Sequence, residues 1–215
     1  MENLDIYINI YKNIGIIALC YFFGAIPFCY VIAKIHSSKD LTKIGDKNPG
    51  GWNLIFNISR TWGIVGSLLD FSKGFLSYFI ALKITNVELI AILAGCAAVA
   101  GHNYSPYLKF SGGKGVAATL GVLLAINPLT IVAYGVGIVA ALFLLRNMIW
   151  GVVTGIITSS VFLWILRGSS VYLILAVLLI IIVIPKYINH SINFSYNFKI
   201  RKEKNIKDLF TPKVR

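Results

Sequence analysis

The stretch FSGGKGVAATLG (residues 110–121) sets one lysine in a glycine-rich turn and then runs straight into apolar sequence. Gly112, Gly113 and Gly115 surround Lys114. A Walker-type phosphate loop needs Ser or Thr directly after its lysine to hold magnesium. Here Gly115 takes that place and the upstream glycine spacing is absent, which excludes a nucleotide-hydrolysing loop. A helix beginning near Gly115 would leave its first N–H groups unpaired beside Lys114, and such a helix start attracts anions. The competing reading is a lysine that snorkels to a membrane interface from a glycine-kinked helix.

Outward from this loop the chain is mostly apolar. It has 215 residues, 57% hydrophobic and 13% charged, with a mean hydropathy of +0.78. An average soluble domain carries about twice that charged fraction. Apolar runs lie at 14–35, 62–84, 88–107, 115–126, 129–145, 148–166 and 169–189. Several approach the roughly 20 residues that a helix needs to cross the hydrocarbon. The run at 115–126 is short and needs a tilt or a partly buried position. The pattern predicts an all-α integral membrane protein of about seven transmembrane helices, one domain over residues 1–215. Asn127-Pro128 divides two spans, because proline suits a helix start. Pro185 ends or kinks the last span. The opening MENLDIYINIYKN is polar with two acids, and we expect it to be mature sequence rather than a cleavable signal. Cys20, Cys29 and Cys96 lie in apolar runs without ligand spacing, so no disulfide, zinc site or other metal is expected.

Charge sets the orientation. The segments 34–60, 107–114, 146–147 and 186–215 hold sixteen of the 20 Lys and Arg, while Lys12, Lys73, Lys83 and Arg167 lie elsewhere. Basic loops stay on the cytoplasmic side. The amino terminus is therefore expected outside and the carboxyl terminus in the cytoplasm, with the loops near 36–60 and 108–116 sharing the cytoplasmic face. The tail 191–215 is basic and polar. It reads equally as a solvated tail or as a short amphipathic helix on the anionic leaflet. Nothing in the pattern asks for nucleic acid; membrane lipids are the expected surroundings, and a monomer is compatible with the sequence.

Three further features bear on chemistry. In IGDKNPGGWN (residues 44–53), Gly45, Gly50, Gly51 and Pro49 disfavour a regular helix. Such a loop can turn several backbone N–H groups toward one anion. Asn48 and Asn53 add donors, and Lys43 and Lys47 add charge. In LLDFSKG (residues 68–74), Asp70 and Lys73 stand three apart inside an apolar run. They share a helix face, and charges at that depth are paired or functional. His102 lies just before the lysine loop and reads as a hydrogen-bonded structural residue more readily than as a base. No Ser-His-Asp order and no carboxylate pair stands out, so a reaction needing a strong protein base would be poorly served.

Taken together, GAIPFCYVIAK (residues 24–34), GDKNPGGWN with Arg60 following, LDFSKG, and above all GHNYSPYLKFSGGKGVAATLG (residues 101–121) resemble the bacterial membrane acyl-phosphate:glycerol-3-phosphate acyltransferases, the PlsY family. The likeness is strongest over residues 15–130, and the weaker EKNIK around Asn205 resembles the family's final motif. It implies seven spans with a cytoplasmic active site. It also implies transfer of a fatty acyl group from acyl phosphate to glycerol 3-phosphate, giving lysophosphatidic acid in phospholipid synthesis at the cell membrane, with no cofactor. Carried onto this chain, the catalytic set is Lys114, Asp46, Asn48, Asn53 and Asn205. The phosphate-binding set is Gly45, Gly50, Gly51, Arg60, His102, Gly112, Gly113, Lys114 and Gly115. Asp46 stands where the family commonly has serine. Phe56 stands in place of an arginine, Ile149 near a serine and Lys202 in place of a histidine. These departures keep open a divergent paralogue that binds phospholipid or acylates another acceptor. A small transporter is the weaker alternative, because no charged pairs face across several spans to mark an ion path.

Overall fold

A computed structural model describes the backbone of residues 2–194 and the side chains of residues 6–188. Its helices are α1 (Glu2–Ala25), α2 (Phe28–Ser37), α3 (Gly51–Asn57), α4 (Arg60–Thr85), α5 (Glu88–Asn103), α6 (Val116–Ile126), α7 (Thr130–Leu145), α8 (Met148–Arg167) and α9 (Val171–Phe194). A 3₁₀ turn, Pro106–Leu108, follows α5. No strand occurs among the described residues. Four stretches are long and apolar enough to cross a membrane: Ile6–Ser37, Arg60–Thr85, Met148–Arg167 and Val171–Ile188; Val116–Ile126 and Thr130–Leu145 are shorter apolar helices.

The helices pack through small residues. α1 lies on α5, where a side chain at Gly24 would strike the Ala98 backbone and one at Gly101 would strike Tyr21 O. α4 lies on α6, with Gly74 against Ala118 and Gly121 against Phe71. Between α7 and α8, Thr154 Oγ1 donates to Gly137 O and Thr158 Oγ1 to Ala133 O, both at 2.8 Å. Close backbones and inter-helix hydroxyl bonds are what hold helices together where lipid removes the hydrophobic drive. The main core gathers Tyr78, Ile92, Val99, Leu123, Ile156, Leu163, Leu175 and Leu179. A second small cluster of Cys29, Ala33, Leu41 and Leu54 fixes α2 and α3 to the loop between them. Outward-facing Val132, Val136, Val139 and Phe143 make α7 apolar on its exposed side.

Three boundaries differ from the sequence reading. The run 14–35 is two helices, broken at Pro27, and α1 extends back over the polar start to Glu2. The run 88–107 stops being α-helical at Asn103. Pro185 does not end the last helix; α9 continues through it to Phe194. Near that proline, Ile182 O accepts from Asn103 Nδ2 at 3.1 Å and Tyr104 OH at 3.2 Å. Side-chain donors from the α5 end thus serve a carbonyl in the turn that proline disturbs.

Candidate active site

The loop at 38–50 is built around Asn53. Gly45 and Lys47 take left-handed backbone angles, each with φ 56°, and Lys47 N closes a turn on Ile44 O at 2.9 Å. Asn53 Nδ2 gathers the loop by donating to Leu41 O, Ile44 O and Asn48 O at 2.9, 3.0 and 2.9 Å. Its Oδ1 accepts from Asn57 Nδ2 at 2.8 Å. The residue is buried. Asn53 is therefore the scaffold of the loop and not a donor held ready for a ligand, because both of its N–H bonds are engaged. The stretch is also less irregular than its composition implies. α3 begins at Gly51, with Gly50 as its N-cap, and the bare Cα of Gly51 lets that turn close on Ser67 of α4. Asn48 is half-buried, with its amide beside Gly50, and its N–H donates to Asp46 Oδ1 at 3.2 Å.

The lysine loop folds back onto the end of α5. Gly112 N donates to Asn103 O at 3.1 Å and Gly113 N to His102 O at 3.0 Å. These two N–H groups are thus tied to carbonyls and do not serve as anion donors, contrary to the expectation from the glycine pattern. The glycines are needed for closeness: a Cβ on Gly112 would meet the His102 and Asn103 carbonyls, and one on Gly113 the His102 ring. Gly115, at φ 83°, is the N-cap of α6 and offers no capping side chain. The first N–H groups of α6 are left without helical partners, so the helix start supplies the anion-attracting end. Ser105 Oγ anchors the loop by donating to Ala25 O at 2.6 Å. Lys186 Nζ does so from α9, donating to Phe110 O at 3.1 Å.

The two loops meet at one ion pair. Lys114 Nζ lies 3.3 Å from Asp46 Oδ2, with side-chain exposures of 20% and 7%, and 5.5 Å above the Tyr187 ring of α9. Partial burial makes this pair stronger than a surface bridge. It still leaves the ammonium reachable by a phosphate.

Beneath the lysine loop is a buried charged cluster. Lys73 Nζ donates to Asp70 Oδ1 at 2.7 Å, and His102 Nδ1 lies 3.5 Å from both. Cys29 Sγ donates to Asp70 Oδ2 at 3.1 Å. The Phe28 ring is 4.9 Å from the ammonium. Spacing alone pairs Asp70 with Lys73. The packing of α5 on α4 adds His102, which lies below the loop with Nε2 toward Gly113. Arg60 is exposed at the start of α4. Phe56 is exposed, with its ring tilted against that of Trp52 at a centroid distance of 4.6 Å. Ile149 sits in the first turn of α8. Asn205 and Lys202 lie outside the described residues, as does the tail beyond Phe194.

Comparison with known proteins bears on this arrangement. A family model described as glycerol-3-phosphate acyltransferase matches residues 14–199. A glycerol-3-phosphate acyltransferase of Thermosipho melanesiensis is 44% identical over 108 residues, which is 50% of this chain and 52% of that protein. Glycerol-3-phosphate acyltransferase 1 of Moorella thermoacetica is 33% identical over 86% of this chain and 95% of its own length. Among solved structures, the integral membrane glycerol 3-phosphate acyltransferase PlsY in its glycerol 3-phosphate form superposes with a TM-score of 0.73. It is 28% identical, over 85% of this chain and 90% of that one. A second PlsY structure, in a lysophosphatidic acid form, gives 0.70 at 26% identity over 85% and 92%.

Proposed function

The chain belongs to the glycerol-3-phosphate acyltransferase family, and on that premise we propose that its acyl donor is an acyl phosphate and its product lysophosphatidic acid. It is an integral membrane acyltransferase that acylates glycerol 3-phosphate in phospholipid synthesis. Seven spans, with the two glycine-rich loops on the cytoplasmic side of the cell membrane, complete the reading. The basic residues of those loops support that orientation.

The observation that carries the proposal is the meeting of Lys114 with Asp46 beside the uncapped start of α6. Both proposed substrates bear phosphate, and this is where a compact cation and free N–H groups converge. The acyl phosphate is a mixed anhydride with a good leaving group. The hydroxyl oxygen of glycerol 3-phosphate attacks the acyl carbon, the carbon–oxygen bond to phosphate breaks, and the leaving phosphate departs with its charge held by Lys114. The hydroxyl proton passes to a phosphate oxygen, which fits a site without an evident strong base. Fixed charge and positioning supply most of the rate in such a step. Asp46 holds Lys114 until substrate enters and shares it afterwards.

The test offers purified protein glycerol 3-phosphate with acyl phosphate, acyl-coenzyme A or acyl carrier protein as donor. Lysophosphatidic acid should form from acyl phosphate alone. Product from one of the thioesters and none from acyl phosphate would overturn the donor assignment. Turnover of acyl phosphate only with a different acceptor would favour the divergent-paralogue reading, which the replacements at Phe56 and Ile149 motivate.

A further inference from the structure

We propose that the buried Asp70–Lys73 pair and His102 form a positioning unit for Lys114, the footing on which the lysine loop is held. The inference rests on the reading of Lys114 as the phosphate-binding cation. In this role Asp70, Lys73 and His102 act through the lysine loop, and His102, which the resemblance placed in the phosphate-binding set, supports the loop from beneath instead of touching substrate.

The geometry runs from the core to the loop in two steps. Lys73 is fully buried and Asp70 nearly so. Their 2.7 Å bond, with the Cys29 thiol on the second carboxylate oxygen, fixes Asp70 in one orientation. His102 Nδ1 faces this pair at 3.5 Å from each partner, so the imidazole is gripped along one edge. The opposite edge is the second step. Nε2 lies where a side chain on Gly113 would have to go, and the main chain of His102 accepts the Gly113 N–H at 3.0 Å. Gly113 is thus supported at two points by one residue, and the next residue is Lys114. A glycine on each side of the lysine leaves the backbone few steric limits of its own. Without a footing, the ammonium would settle against Asp46 in whatever geometry suited that pair.

Charge chemistry favours a positioning role over a stabilising one. A buried ion pair contributes little net stability against an apolar pair of similar volume, because desolvation offsets the attraction. What such a pair supplies is direction: Asp70 and Lys73 hold a ring nitrogen at a defined place, as a methyl group cannot. Small displacements of a group that contacts a transferring phosphate are costly to rate.

The test is a double-mutant cycle. Asp70→Asn together with Lys73→Met removes both charges at once and so avoids leaving a lone buried ion. With Lys114 present, kcat should fall about ten- to a hundredfold, while KM for glycerol 3-phosphate changes less and the thermal midpoint stays near that of the parent. In a Lys114→Ala background, the same pair should lower the residual kcat by less than about threefold, because residues acting through one group are not additive. If the pair fails to fold, Gly113→Ala pushes on the imidazole edge with the charges intact, and the same pattern is expected. Equal losses in both backgrounds, or no loss with Lys114 present, would overturn the inference. A parent protein that makes no lysophosphatidic acid from acyl phosphate would instead overturn the proposed function on which it rests.

Discussion

At one end of the bundle Arg167 donates to Glu88 Oε1 at 2.9 Å, to the Tyr172 hydroxyl at 3.0 Å and to Ile126 O at 2.9 Å. At the other end Lys114 lies 3.3 Å from Asp46, over an aromatic ring. The first cluster closes on itself: Tyr172 OH and Tyr78 OH add further bonds to Glu88 at 2.6 and 3.2 Å. It ties α4, α5, α6, α8 and α9 together with fixed partners. The second is assembled from two glycine-rich loops, 68 residues apart at the ion pair, beside a helix start that no side chain caps. Both are charged and both sit where helices end, yet one is internally satisfied and the other keeps donors for something else. That difference separates a polar staple from a binding site more sharply than charge count does.

Substitutions should divide along this line, and the largest effect belongs to Lys114. Lys114→Ala should fold normally and lose about ten- to a hundredfold in turnover, equivalent to roughly 1.5–3 kcal/mol for a charge-assisted hydrogen bond to phosphate. Lys114→Arg should recover only part of this, because a planar fork does not replace a compact ammonium. Steady-state rates with matched melting curves check both. Asn53→Ala comes next and works through the fold. It leaves the carbonyls of Leu41, Ile44 and Asn48 without their shared donor, at about 1–3 kcal/mol of stability. A lowered thermal midpoint should accompany its loss of activity, whereas Asn48→Ala should lower activity with the midpoint unchanged. Arg167→Gln, at the stapled end, should cost about 1 kcal/mol of stability, since the Glu88 pair is partly exposed, and leave kcat per folded molecule unaltered. A fall in kcat without a fall in stability there would break the comparison. The smallest effect is expected from Phe56→Arg. It restores the residue type usual in the resembled family, at an exposed position whose ring packs at a tilt against Trp52. Stability should move by no more than about 0.5 kcal/mol, and turnover should not rise.

Much of this contrast is legible in the chain itself, because it depends on local chemistry. The apolar runs locate the helices from α4 to α8, and the loop glycines mark where they stop. Asp70 and Lys73 reveal their pairing by spacing alone, since i and i+3 share a helix face. Hydrogen-bond partners are another matter. The Gly112 and Gly113 N–H groups look available in sequence, yet they are taken by carbonyls that the end of α5 brings within reach. Asn53 looks like a ligand donor until three loop carbonyls close around it. His102 joins Asp70 only because α4 packs on α5. The break at Pro27 was open to reading, since proline lacks the N–H that an unbroken helix needs. It was masked by the apolar residues on both sides.

The most direct measurement of the central claim is binding of inorganic phosphate, the leaving group that Lys114 is to hold, by calorimetry, in lipid nanodiscs, to the parent, Lys114→Ala and Arg167→Gln. Parent and Arg167→Gln should bind alike, and Lys114→Ala should weaken binding by about tenfold or more, corresponding to at least about 1.4 kcal/mol. Equal affinity in the parent and Lys114→Ala would contradict the account, and placing the phosphate between the two glycine-rich loops would have to be abandoned.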